Sequence, residues 1–256
     1  YLEGMRSPFR STKHVSVRRI RSLPALAVLF GLFLLVFAPV GAYAQSCDPP
    51  DGLSDAWEFR AHDLEALVSD PGEPQLVEKN IRTLKNSAEG ELDARLHLHA
   101  LFPEDVEDFE AAIRDIERQS EFLPNLKASE VLCSDGRPTS YARVRQELGF
   151  RFLIFSRDYE YILHYFLEST DGRDASLNVW WQLDEPLDDQ IVATDGSWYF
   201  ERVVVEDREY TYMAYGTHTV FRERKRGLKA AMDRFGERNA AAAMKALQEE
   251  AAERGD

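Results

Sequence analysis

The chain has 256 residues, of which 44% are apolar and 30% charged, enough to close one full-sized core. Six of the 31 basic residues and one of the 45 acidic residues fall in the first 44, leaving 25 basic against 44 acidic residues in the remainder, net −19. Such a surface repels nucleic acid and anionic membranes, so no nucleic-acid partner is expected and any membrane contact would be transient.

In the first 44 residues, Lys13, Arg18, Arg19 and Arg21 precede an apolar run from Ala25 to Ala38, Pro39 breaks it, and Ala42-Tyr43-Ala44 follows. A basic region, an apolar region and a small-x-small site make a secretory signal. Residues 1–44 therefore read as a signal peptide, and the protein as periplasmic or secreted from Gln45. A retained anchor is the other reading, because the run with its flanks approaches spanning length. Two cysteines remain, Cys47 and Cys133. An even pair in an exported chain points to one disulfide, with two free thiols as the alternative.

Residues 45–75 read as a polar tether (QSCDPPDG) and a short helix from Leu53 to Ser69, with Ser54 as cap and Trp57, Leu64, Leu67 and Val68 on its apolar side. Asp70-Pro71-Gly72 ends it. Leu76 to Leu84 reads as an edge strand and Asn86 to Gly90 as a turn. Leu92 to Phe102 alternates, with Leu92, Ala94, Leu96, Leu98 and Ala100 on one face. From Glu104 to Gln119 the period becomes 3.6, with Val106, Phe109, Ile113 and Ile116 on one helical face. Ser120 to Asn125 is a loop. Strands from Leu126 to Cys133 and from Thr139 to Leu148 flank a Ser134–Pro138 turn.

The stretch that follows organises the sheet. Tyr159, Tyr161, Leu163, Tyr165 and Leu167 form one unbroken row, and Leu177, Val179, Trp181 and Leu183 a second. Each row is one face of a strand, and Thr170-Asp171-Gly172-Arg173-Asp174 can join the strands antiparallel. This hairpin is expected at the centre of a curved sheet. Glu185 to Ser197 reads as a loop, Trp198 to Glu206 and Tyr210 to Val220 as strands, and Asp207-Arg208-Glu209 as their turn. From about Arg222 the pattern is helical, with Leu228, Met232, Phe235, Ala243 and Leu247 on one stripe and Gly236 as a candidate kink. The class is α+β: an antiparallel sheet whose concave face only the C-terminal helix is long enough to cover.

This order resembles the helix-grip fold of START-like (SRPBCC) proteins over roughly residues 76–250, within a domain taken as 76–256. One motif sharpens the resemblance. Phe155-Ser156-Arg157-Asp158-Tyr159 matches the Ser-x-Arg-Asp-aromatic sequence that precedes a strand in START domains, and the DGRD turn and Trp180-Trp181 strand fall where that family has its next strand. The resemblance implies a cavity between sheet and C-terminal helix, which in family members holds sterols, phospholipids, other lipids or polyketides; some members are cyclases. Residues 45–75 and the basic run Arg222 to Gly227 depart from the family pattern.

The expected function is binding of a hydrophobic small molecule, a lipid foremost, with possible carriage and without covalent chemistry. The expected wall comprises Tyr159, Tyr161, Leu163, Tyr165, Leu177, Val179, Trp181, Leu183 and Phe235, with Tyr161, His164 or Arg202 orienting the ligand. No cofactor or metal is expected: His97 and His99 have ligand spacing but equally describe the solvent face of their strand. GxSxG, HExxH, Walker and dinucleotide motifs are absent. The alternatives are a cyclase or dehydratase using Asp158 as base beside a tyrosine, and a packed domain for protein interaction.

Overall fold

The computed structural model describes residues 45–59, 63–84, 90–136, 140–152, 155–222 and 227–255. The leader 1–44, residues 86–89 of the Asn86–Gly90 turn, residues 137–138 of the Ser134–Pro138 turn, and residues 223–226 of the basic run lie outside them. Among the described residues nine strands form one curved sheet: β1 (Gln45–Ser46), β2 (Gln75–Thr83), β3 (Glu91–Phe102), β4 (Leu126–Ser134), β5 (Tyr141–Phe152), β6 (Phe155–Thr170), β7 (Ser176–Pro186), β8 (Ile191–Val205) and β9 (Arg208–Arg222). Their order is β1-β4-β5-β6-β7-β8-β9-β3-β2, so β7 stands at the centre. All neighbours are antiparallel except the β1–β4 pair. The helices are α1 (Leu64–Val68), α2 (Val106–Arg114), α3 (Gln119–Phe122) and α4 (Leu228–Gly255).

Strand parity assigns the two faces. On β3, Leu92, Ala94, Leu96, Leu98, Ala100 and Phe102 are all buried. On β6 and β7 the two odd-numbered rows share a face, with Leu163 opposite Leu183, Tyr165 opposite Trp181 and Leu167 opposite Val179. These rows face α4, which lays Met232, Gly236, Ala240, Met244, Leu247 and Ala251 against the sheet. Phe235 is only half-buried, with the Arg234 guanidinium 5.4 Å above its ring. The inward stripe advances mainly in steps of four through glycine and alanine, which carry little hydrophobic signal, and the larger Phe235 draws the expected stripe one residue off. The helix continues through Gly236.

The helix expected from Glu104 to Gln119 is broken. Asp115 leaves helical geometry (φ −82°, ψ 61°), a 3-10 turn follows over Ile116–Arg118, and α3 is a separate turn. Gln119 folds back and donates from Nε2 to the Ile113 carbonyl at 2.8 Å. Arg254 on α4 donates to the Ala111 carbonyl and binds the Asp115 carboxylate. Side chains thus satisfy carbonyls that a longer helix would have paired internally.

Two expected loops also differ. Ile191 to Ser197 belongs to β8, and the β8–β9 turn is Glu206–Asp207, both with left-handed φ (52° and 60°), because Val205 pairs with Arg208. The N-terminal helix covers only Leu64–Val68, and residues 53–59 are neither helix nor strand. Trp57 decides this: its backbone N–H donates to Ser197 Oγ, its indole donates to Asp195 at 2.9 Å, and its ring lies on Gly216, where a Cβ would come within 2.4 Å. The segment is therefore a strap across the outer face of the sheet. Phe59, Leu64, Leu67 and Val68 pack there with Leu101, Val203, Val205 and Tyr212. Cys47 and Cys133 are bonded across 86 residues, with Cα atoms 5.7 Å apart, beside the short β1–β4 pairing.

Candidate site: a cavity between sheet and helix

Between α4 and the inward rows lies a cavity of about 200 Å³. Five of the nine expected wall residues line it: Tyr159, Tyr161, Leu163, Tyr165 and Trp181. The other four stand apart from it. Leu177 and Val179 are fully buried at the end of the core that packs against α2 and α4, and Leu183 packs beside the cavity wall without reaching the space. Phe235 lies off the inward stripe of α4. The central hairpin therefore supplies both packed core and open wall along one face. Sequence periodicity cannot separate the two, because both demand the same parity.

Most of the remaining lining comes from positions whose role depends on tertiary placement. Leu123, Pro124 and Asn125, after α3, border one side, and α4 offers Met232, Gly236, Asn239, Ala240 and Ala243. The small side chains of α4 hold its backbone close to the sheet while leaving space beside it. On β9, Tyr215, Thr217, Thr219 and Phe221 form an inward row, which the alternation of that strand makes visible. On β8, Thr194 and Trp198 face inward; a register irregularity between Ile191 and Ala193 shifts the alternation there. Trp198 stacks on Tyr215 at 4.1 Å, giving the wall a second aromatic surface besides Trp181.

The lining is uncharged: among the described residues it contains no Asp, Glu, Lys, Arg or His. Its polar groups are amides, hydroxyls and phenols. Burial pushes Tyr159 and Tyr215 up to about 12 and Tyr161 and Tyr165 well above the ordinary phenol value. All four phenols therefore stay protonated and able to donate at physiological pH. Some polar groups are already paired: Gln119 Nε2 contacts Tyr165 Oη at 3.4 Å, and Thr194 and Thr219 hydroxyls lie 3.0 Å apart.

The other polar candidates lie elsewhere. Asp158 is on β6 itself, one residue out of phase with the inward row, and its carboxylate binds Lys127 at 2.5 Å on the exposed face. The Phe155–Tyr159 motif, expected to precede the strand, thus lies within it. His164 is also on the outer face, with Nδ1 3.0 Å from Tyr141 Oη and Nε2 3.3 Å from Asp184; burial lowers its pKa despite Asp184. Arg202 is bidentate to Glu107 and donates to the Gly172 carbonyl. His97 and His99 lie beneath the strap and not on a solvent face: the Phe59 ring is 5.0 Å from His97, and His99 Nδ1 is 3.3 Å from Tyr212 Oη.

No protein-family model matches the chain. No curated protein matches it either. Solved structures similar to it include a fragment of a STAR-related lipid transfer protein from Xanthomonas axonopodis, with 14% identity over 67% of this chain and 98% of that one, at a TM-score of 0.48. The Zhui aromatase/cyclase from Streptomyces sp. R1128 has 15% identity over 64% and 96%, also at 0.48. Human StAR-related lipid transfer protein 5 has 12% identity over 70% and 88%, at 0.47. Strand order, a sheet curved around a long terminal helix and the space between them give this chain a helix-grip α+β fold.

Proposed function

We propose that this protein binds a hydrophobic small molecule in the cavity between its sheet and C-terminal helix and carries it without covalent chemistry. One observation bears the weight: a cavity of about 200 Å³ in a core otherwise packed to full burial at Leu98, Phe109, Phe200 and Met244. Space of this size beside a close-packed core forfeits packing contacts that a domain used only for protein contacts would gain by closing. Carriage is favoured over turnover because the lining offers no ionisable acid–base pair and Asp158 points away from the space.

In this reading Tyr159, Tyr161, Leu163, Tyr165 and Trp181 touch the ligand, while Leu177, Val179, Leu183 and Phe235 support the wall. Burial of apolar ligand surface supplies most of the affinity. We place the activity outside the cytoplasm, on the strength of the leader pattern in residues 1–44 and the Cys47–Cys133 bridge. The test is to purify the protein from its native host, extract it with organic solvent and look for a stoichiometric small molecule by mass spectrometry, then measure the melting temperature of the stripped protein against a lipid and hydrophobe panel. A co-purifying molecule that restores the melting temperature is the expected result. No extracted molecule and no thermal shift with any compound would leave a packed interaction domain as the better account.

A further inference from the structure

The binding reading above leaves the chemistry of the ligand open, and the β5–β6 wall narrows it. The inward parity of β5 runs Val144, Gln146, Leu148, and Gln146 is the polar interruption. It stands directly opposite Tyr161 in the β5–β6 register, and Tyr159 follows two residues away on the same face. All three line the cavity. Gln146 is 8% exposed, Tyr159 2% and Tyr161 5%, and none of the three side chains has a hydrogen-bond partner among the described residues. Unpaired within the protein, their polar atoms open onto the cavity and are not among the enclosed atoms left without a partner. Side by side on one wall, the three groups form a recognition patch whose hydrogen bonds are made with water or with a ligand.

The patch has a definite chemistry. Two phenols offer O–H donors, and the Gln146 amide offers N–H donors and one carbonyl acceptor. Among the described residues no lining side chain around them carries a charge, so a carboxylate or phosphate held among these residues would lose its hydration without a compensating cation. Size limits the occupant as well. An apolar cavity of about 150 Å³ accepts benzene, and this one is about 200 Å³, below the range of roughly 300–1,000 Å³ usual for drug-sized ligands. The aromatic faces of Trp181 and of the Trp198–Tyr215 stack suit a flat partner.

We propose that the cavity takes an uncharged, compact molecule, the size of one or two rings, whose hydroxyl or carbonyl oxygen is received by Gln146, Tyr159 and Tyr161. A two-chain or anionic lipid does not meet this description.

The experiment compares naphthalene, 2-naphthol and 2-naphthoate at neutral pH by isothermal titration calorimetry, with oleate and phosphatidylcholine as lipid probes. The expected order is 2-naphthol about tenfold tighter than naphthalene, as one net hydrogen bond provides, with no measurable binding of 2-naphthoate. Gln146→Leu and Tyr161→Phe should each weaken 2-naphthol relative to naphthalene by about tenfold, with circular dichroism and a cooperative thermal transition certifying that the variants are folded. Equal binding of naphthalene and 2-naphthol, insensitivity of 2-naphthol to both variants, or tight binding of 2-naphthoate overturns the proposal. If only oleate or phosphatidylcholine binds, the proposal falls and the binding reading stands. If none of the five binds and nothing co-purifies, both fall.

Discussion

Trp181 reaches the cavity because the residue across from it has no side chain. It pairs with Gly196 in the β7–β8 register, and a Cβ on Gly196 would lie 2.3 Å from the indole Cζ2. Gly196→Ala therefore drives the ring off its seat, and overpacking of this kind costs about 1–3 kcal/mol. We expect a lower melting temperature together with weaker binding of any cavity ligand; a variant that retained both would show that the ring relocates freely. On the outer face, His218 places Nδ1 2.9 Å from Asp195 and Nε2 3.1 Å from Asp93. The hydrogen bond to Asp195 raises the His218 pKa above its ordinary 6.5 against the opposing effect of burial. Burial alone would raise Asp195, but hydrogen bonds from His218 and the Trp57 indole hold it below its ordinary 3.8. A histidine raised on folding stabilises fully below its unfolded pKa and ceases to as pH climbs through the folded value; a lowered aspartate stabilises above its unfolded pKa and loses that as pH falls. The cluster is thus strongest between these limits. The urea midpoint of the wild type should exceed that of His218→Gln most at about pH 6, and the difference should shrink as pH rises from there through the raised His218 pKa. A constant difference across that interval would mean that His218 does not titrate there. At this scale the sequence discloses parity and little more. Gln146 is visible as a polar interruption of an inward row, whereas the pairing of Gly196 with Trp181 is hidden, since the irregularity between Ile191 and Ala193 sits in a stretch rich in turn residues.

Elements were legible where one physical demand acted alone. The β6–β7 hairpin has an unbroken period of two, and its placement at the sheet centre follows from burial on the helix-facing side. Elements that answer to tertiary partners were not. The strap from residue 53 to 59 carries helix-compatible residues, yet Trp57 is worth more seated on Gly216 with its indole bonded to Asp195 than as part of an isolated turn. The same holds for α4, whose inward Gly236, Ala240 and Ala243 look featureless in sequence but define one side of the cavity. This gives the helix a direct test. Ala243 is half-buried and borders the space, so Ala243→Leu adds apolar volume where volume is free. Cavity filling commonly raises stability by about 0.5–2 kcal/mol, and here it should also reduce ligand binding by at least about tenfold. Loss of stability instead would indicate that the wall at Ala243 is already in tight contact.

At the scale of the molecule, charge and function are segregated. Residues 45–256 carry net −19, while the cavity lining, among the described residues, is uncharged. The boundary expected at residue 76 does not coincide with the folded body, because the N-terminal segment closes the outer face of the sheet. Leu67 is 1% exposed there, Tyr212 and Ala214 are fully buried, and His99 is 4% exposed. A chain that starts at Gln75 would uncover that apolar cluster and also lose the Cys47–Cys133 bridge, so the two effects need separating. The comparison is between the truncated chain and a full-length Cys47→Ala, Cys133→Ala variant, each unfolded in urea. Fully burying one large apolar side chain is worth about 1.5–3 kcal/mol, and Trp57, Phe59, Leu64, Leu67 and Val68 all contribute, so the truncated chain should lie several kcal/mol below the cysteine-free variant and bind a hydrophobic dye at its newly bare face. Equal urea midpoints, with no dye binding, would mean that the sheet and α4 are self-sufficient and that the strap is an accessory laid on a finished fold.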